Sequence, residues 1–195
     1  HAGAGLILWK KMMDAKAFGD IKEVHSWSNR PIWPQGMTEP PAAEKTPDDM
    51  DWDCWIGPAK MRPFSSAYAP FKWRGWWNFG TGALGDMGCH YMDLPFWALG
   101  LRHPNKCEAE GPDVHPETCP LGLTVRYEFP VSAPGKKGGP VSLTWYDGNM
   151  IPKVVQGEKV PGSGVMFIGS QGKMFANYGS YRLFPAAKFA GYKRP

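Results

Sequence analysis

Apolar positions recur along this chain with two periods. Near the start, Leu6, Trp9 and Met13 fall three and four residues apart, joined by Lys10 and Ala17. That spacing predicts a helix over His1 to Asp20, closed at Gly19. Ile21 to Ser28 follows as a strand, with Ile21, Val24 and Trp27 apolar and Lys22, Glu23 and His25 between them. His25 reads as a strand histidine facing solvent or a neighbour, not as a ligand. Late in the chain the period drops to two. Leu121, Leu123, Val125, Tyr127 and Phe129 alternate with Gly122, Thr124, Arg126 and Glu128, giving one apolar and one polar face. Lys106 to Glu110, Val141 to Tyr146, Val165 to Ile168 and Lys173 to Ala176 also read as strands. Pro/Gly runs at 130 to 140 and 147 to 164 separate them, and Ser170-Gln171-Gly172 reads as a hairpin turn.

The middle of the chain is irregular. Pro31, Pro34, Pro40, Pro41 and Pro47 predict a long loop over 31 to 49. Asp48 or Asp49 can cap a short helix through Asp51 to Trp55, stopped by Gly57-Pro58. Met61 to Phe79 is a loop dense in aromatics, and Gly75 to Leu99 then turns into an apolar helical run. Helices grouped before most of the strands predict an α+β fold. Its sheet should be mostly antiparallel and open-faced, with the helices packed on one face. Residues 1 to 195 are read as a single domain.

Composition changes this picture little. The chain has 195 residues, 43% hydrophobic and 21% charged, which suits a globular core rather than disorder. Its net charge of +4 is not gathered into a basic block, so nucleic acid is not an expected partner. The aromatic loop with Lys72 and Arg74 does not outweigh that. No apolar run reaches membrane-spanning length, and no membrane partner is expected. Residues 1 to 18 lack signal-peptide features, but the chain starts without Met, so cytoplasm and bacterial periplasm both stand open. Cys54, Cys89, Cys107 and Cys119 lack C-x-x-C spacing, which argues against a zinc ribbon. Cys107 and Cys119 could close a short loop in an oxidising compartment, though free thiols are the simpler expectation. The 10 Trp serve mainly as core, with a minority available to line a flat-walled pocket.

Candidate chemistry concentrates in Gly75 to Leu99. On a helix Asp86, His90 and Asp93 share one face, being four and three residues apart. Gly82, Gly85 and Gly88 lack a Cβ, so close approach of a backbone or a flat ligand is expected there. Asp86 and His90 are equally compatible with an ordinary helix-surface pair. A zinc site lacks an evident fourth ligand, so no metal is expected. Asp93 reads as a helix salt bridge or hydrogen bond, and Cys89 is not placed to form a nucleophile with His90.

The stretch FKWRGWWNFGTGALGDMGCHYMDLPFWAL resembles the substrate-domain signature of the Gfo/Idh/MocA oxidoreductases, the glucose-fructose oxidoreductase and inositol dehydrogenase family. KEVHSWSNRPIWPQG, DWDCWIGPAKMRPF and the IGSQGKM turn extend the similarity over most of residues 1 to 180. The resemblance implies that His90 and Asp86 sit beside a nicotinamide and a sugar. His90 would be the general base, with Asp86 orienting the imidazole or binding a neighbouring hydroxyl. It also implies substrate contacts from Asn29, Arg30, Arg74 and Trp76. NAD or NADP would be held mainly by a dinucleotide-binding domain ahead of this one, which also carries the family's catalytic lysine.

No G-x-G-x-x-G opening a strand-helix unit occurs here, so cofactor-binding residues are unassigned and the chain reads as part of a longer two-domain enzyme. The leading expectation is an NAD(P)-dependent oxidoreductase acting on a sugar or polyol hydroxyl. Alternatives are an NAD-dependent glycoside hydrolase working by transient oxidation and elimination, and a non-catalytic sugar-binding or assembly module. Relatives commonly associate through open sheet faces, which implies a homo-oligomer. The contact would run through Thr124 and Arg126, with Thr144 and Tyr146 if Leu143 and Trp145 point inward.

Overall fold

A computed structural model describes residues 3–130 and 139–195. Most of the separator expected at 130 to 140, and the first two residues of the expected opening helix, lie outside the described residues. Within them, α1 (Ala4–Asp14) leads through a turn at Gly19, φ +72°, into β1 (Ile21–Ser28). The long loop follows, then α2 (Trp52–Ile56), a 3-10 turn over Lys72–Gly75, α3 (Gly82–Tyr91) and α4 (Asp93–Leu99). Strands β2 (Lys106–Glu110), β3 (Thr124–Phe129), β4 (Val141–Asp147), β5 (Val154–Val155), β6 (Glu158–Lys159), β7 (Gly164–Gly169), β8 (Gly172–Ala176) and β9 (Tyr181–Phe184) complete the order.

Seven strands form one sheet in the order β2-β3-β4-β1-β7-β8-β9. Every pairing in it is antiparallel except that of β1 with β4, which run parallel with Val24 opposite Leu143. The fold is therefore α+β with a mostly antiparallel sheet. The parallel pair arises because all the helical middle of the chain lies between β1 and β4, and parallel neighbours need such a crossover. It places β1 at the centre. Val24 faces the helices and joins the main core with Leu6, Trp9, Met12, Leu94, Ala98, Leu143, Phe167 and Met174. Trp27 faces the other way and packs with Val155, Met166 and Phe175. A central strand buried on both faces has no reason to alternate, which explains its irregular pattern.

Leu143 and Trp145 point to the helix side, since their neighbours in register are Val24 and Ser26. Thr124, Arg126, Thr144 and Tyr146 lie on the opposite face, paired across β3 and β4. That face is open only over β2 and β3, because the β5–β6 hairpin covers its other half through Val155.

Several expectations need correction. The strand foreseen from Leu121 begins at Thr124, and Leu121 is 46% exposed. Its first residues are held instead by Asp147, whose Oδ1 accepts from the Leu123 N–H at 2.8 Å and whose own N–H donates to the Leu123 carbonyl. Neither Asp48 nor Asp49 caps α2; Asp51 does, accepting from the Cys54 N–H at 3.0 Å. Strands β5, β6 and β9 were not foreseen. The helical run also breaks at Met92. Pro95 has no N–H and its ring crowds the carbonyl four residues back, so the helix that contains His90 stops at Tyr91.

Candidate functional site

Helix α3 lies across β1 beneath the aromatic loop. At its start Gly82 has φ +66°, and a Cβ there would come within 2.7 Å of the Cys119 Cβ. At Gly85 a Cβ would meet the Thr81 side chain at 1.8 Å, and at Gly88 the Met92 Cε at 2.9 Å. The glycines thus admit this chain's own side chains rather than an incoming flat ligand. Gly82, Ala83 and Gly88 are buried, while Asp86 is partly exposed and Cys89 and His90 are exposed.

Asp86 does not pair with His90. Its Oδ1 accepts from the Arg74 Nε at 2.9 Å, both side chains being about three-quarters buried. Arg74 is itself clamped. Its Nη1 donates to the Phe71 carbonyl at 2.9 Å, and its guanidinium lies 4.6 Å from the ring centres of both Phe71 and Trp73 and 5.7 Å from that of Trp33. Planar, permanently charged and stacked, this arginine fixes the carboxylate in place. Asp86 Oδ2 keeps no partner among the described residues.

His90 is held by a residue that the sequence pattern did not single out. Its Nδ1 is 2.7 Å from the hydroxyl of Tyr178, whose ring stands edge-on to the imidazole at 6.1 Å. The same hydroxyl donates to the His90 backbone carbonyl at 3.2 Å. Tyr178 sits in the turn between β8 and β9. Asn177 shapes that turn by accepting from the N–H groups of Gly179 and Ser180 at 3.0 and 2.8 Å. The run Asn177-Tyr178-Gly179-Ser180 was a legible turn signal, though nothing in it pointed to α3. The helix break supplies the docking point. Pro95 leaves the Tyr91 carbonyl without its usual donor, and Ser26 of β1 fills the place with a hydroxyl at 3.1 Å. Burial and the neighbouring Tyr91, Cys89 and Asp93 push the Tyr178 phenol up to about 12. The phenol therefore keeps its proton throughout the physiological range. His90 Nε2 has no partner among the described residues.

The other expected site residues lie apart from this pair. Arg30 Nη1 donates to Asn29 Oδ1 at 2.5 Å, and Asn29 is bound in turn to Ser163. Both follow β1, and among the described residues no hydrogen bond links either to Asp86 or His90. Trp76 is 1% exposed, its indole N–H donating to the Ala67 carbonyl at 2.8 Å and its ring edge-on to Tyr68. It backs the loop and presents no free ring face. Trp73 does reach solvent, and lines with Trp55, Asn78 and Phe79 an open cleft of roughly 590 Å³ on the side of the Arg74 stack. Asp93 opens α4 rather than extending the α3 face.

All four cysteines are free. Cys119, buried against Gly82, has its thiol pushed up to about 12 by desolvation, which leaves it unreactive. Among the described residues no group of His, Cys, Asp and Glu is placed to hold a metal ion, and no helix is long and apolar enough to cross a membrane.

Residues 20–185 match the GFO_IDH_MocA_C2 family, described as the oxidoreductase family, C-terminal alpha/beta domain. Two solved oxidoreductases are similar in structure. One from Thermotoga maritima aligns at 14% identity and a TM-score of 0.48, over 92% of this chain and 41% of its own. One from Sinorhizobium meliloti aligns at 13% and 0.44, over 98% and 45%. No curated protein sequence matches. The chain spans less than half the length of these solved structures.

Proposed function

We propose that this chain, which belongs to the Gfo/Idh/MocA oxidoreductase family through its C-terminal domain, is the substrate-binding part of a longer NAD(P)-dependent enzyme that oxidises a sugar or polyol hydroxyl. One observation carries the reading. Along one exposed side of α3, His90 Nε2 and Asp86 Oδ2 are each left without a partner by the residues that fix the rest of the group. Residues one turn apart on a helix have Cβ atoms about 6 Å apart, a spacing that suits neighbouring hydroxyls of one polyol.

The roles follow from the chemistry of each group. His90 Nε2 takes the proton of the reacting hydroxyl as general base. Asp86 Oδ2 accepts from an adjacent hydroxyl and orients the sugar. Arg74 neutralises that carboxylate in part, so the face does not repel an anionic cofactor. A nicotinamide nucleotide, when bound, accepts the hydride. Trp73 and the cleft beside it extend the apolar wall along which a sugar ring can stack. Asn29 and Arg30, tied to each other, fit a more distant part of the substrate. We propose in addition a homo-oligomer through the open sheet face, where Arg126 and Glu110 form an exposed pair at 3.1 Å.

The test is a sugar and polyol panel with NAD and NADP, run on the full-length gene product. His90→Ala should lower kcat/KM by about 10²- to 10⁴-fold, the usual cost of losing a general base. Unchanged turnover would overturn the assignment. Release of an aryl group from a glycoside without accumulation of reduced cofactor would replace the dehydrogenase by a glycosidase.

A further inference from the structure

We infer that Tyr178 is a positioning residue that fixes His90 as its Nδ1–H tautomer and so leaves Nε2 as the base. The inference rests on the reading of His90 as the proton acceptor, but its geometry is independent of any substrate. A phenol hydroxyl carries one proton. The hydroxyl of Tyr178 lies 3.2 Å from the His90 carbonyl oxygen and 2.7 Å from His90 Nδ1. A carbonyl oxygen only accepts, so the contact with it uses the single phenol proton. The contact with Nδ1 is then a hydrogen bond only if Nδ1 carries a proton and donates to the phenol oxygen. Neutral imidazole has one N–H, so Nε2 is bare.

The reverse arrangement, with Tyr178 donating to Nδ1, would set two acceptor oxygens against each other at 3.2 Å. It would also put a proton on the outward nitrogen, where a base must have none. The fold makes the bridge possible. Pro95 ends α3 at Tyr91 and brings the last carbonyls within reach of side-chain hydroxyls, Ser26 for Tyr91 and Tyr178 for His90. Both Tyr178 and the helix end are seated by packing. Tyr178 rests against the Tyr91 ring at 5.5 Å, and the crevice among Leu6, Leu94, Val165 and Ala176 behind the pair holds only about 10 Å³. Asp86, which the spacing would have made the orienting group, is turned to Arg74.

The chain has five histidines, so the tautomer can be read directly. The experiment is a long-range proton–nitrogen correlation spectrum of the whole chain labelled with nitrogen-15 histidine, above pH 8, with His90→Gln assigning the peak. The wild type should show His90 as the Nδ1–H form. Tyr178→Phe keeps the ring and removes the hydroxyl, so it should move His90 toward the Nε2–H form. In the full-length enzyme the same variant should lower kcat more than it raises KM, by at least about tenfold and by less than the 10²- to 10⁴-fold of losing the base itself. An Nε2–H wild type would overturn the inference, and so would a tautomer ratio identical in Tyr178→Phe. The spectrum needs no substrate, so it fails separately from the activity assay. If His90→Ala stays active while His90 is the Nδ1–H form, the enzyme reading fails and the tautomer assignment stands.

Discussion

Two sets of residues on helix α3 differ in what holds them. Gly82, Ala83 and Gly88 are buried, and a Cβ added at Gly82 would press on Cys119 and Gln35, one at Gly88 on Met92. Asp86 and His90 are held by single polar partners brought from elsewhere in the chain, Arg74 from before the helix and Tyr178 from long after it. Packing and the proposed chemistry thus fall to different residues of one helix. Changes at the polar pair should alter function and leave the fold, and changes at the buried residues should do the reverse.

The largest effect expected from this contrast is on activity. His90→Ala removes a group exposed at the helix surface. The full-length enzyme should lose about 3–5 kcal/mol of transition-state stabilisation, the equivalent of its 10²- to 10⁴-fold rate loss. The free energy of urea unfolding should stay within about 0.5 kcal/mol of wild type, as for other surface changes. A variant that loses both together would break the separation.

Gly82→Ala probes the buried residues. A non-glycine residue at φ +66° costs about 1–2 kcal/mol, and the added Cβ would press on Cys119 at 2.7 Å, where overpacking costs about 1–3 kcal/mol more. A loss of about 2–5 kcal/mol in urea unfolding is expected. The tyrosine–histidine pair at the other end of the helix should keep its spectrum. If Gly82→Ala is as stable as wild type, the glycine serves an approaching ligand after all.

How much of this was legible in the sequence follows the same division. β1 and β2 occupy the foreseen residues, and β4, β7 and β8 begin or end within a residue of expectation, because period two and turn residues are local signals. The parallel pairing of β1 with β4 was not readable. It depends on where a crossover of more than 100 residues returns, which no local period encodes. Asp86 and His90 could be picked out because helical spacing and the family signature coincide there. Their partners could not. Arg74 was expected as a substrate contact and not as the partner of Asp86, and Tyr178 was not singled out at all, since its link to His90 spans 88 residues. The glycines were read as an opening for a backbone or a flat ligand, because a sequence does not tell which neighbour fills the space that a missing Cβ leaves.

Arg74→Ala should have an intermediate effect. It strips Asp86 of its cation and Phe71 and Trp73 of a stacked guanidinium. A partly buried ion pair contributes up to about 1 kcal/mol, and a cation over a ring about 0.5–1 kcal/mol. A destabilisation of about 1–2 kcal/mol is expected. Arg74→Lys should recover the charge but not the planar fork, and so only part of the loss. Full recovery by lysine would mean that charge alone holds Asp86.

The smallest effect expected is none, and it separates the two polar groups most sharply. Helical spacing alone would have Asp86 orient the imidazole of His90, one turn ahead. The structure gives Asp86 to Arg74 and His90 to Tyr178 instead, with no hydrogen bond between the two. At about 6 Å in a water-like medium a unit charge still interacts by roughly 0.7 kcal/mol, but Arg74 offsets most of that. Asp86→Asn should therefore leave the His90 tautomer ratio as in wild type, while, on the proposed function, lowering the activity of the full-length protein. Because the residues share no partner, the losses from Asp86→Asn and Tyr178→Phe should add to within about 0.5 kcal/mol in kcat/KM. A shifted tautomer ratio in Asp86→Asn, or a coupling well above that margin, would mean that the carboxylate orients the base and that the two ends of the site act as one unit.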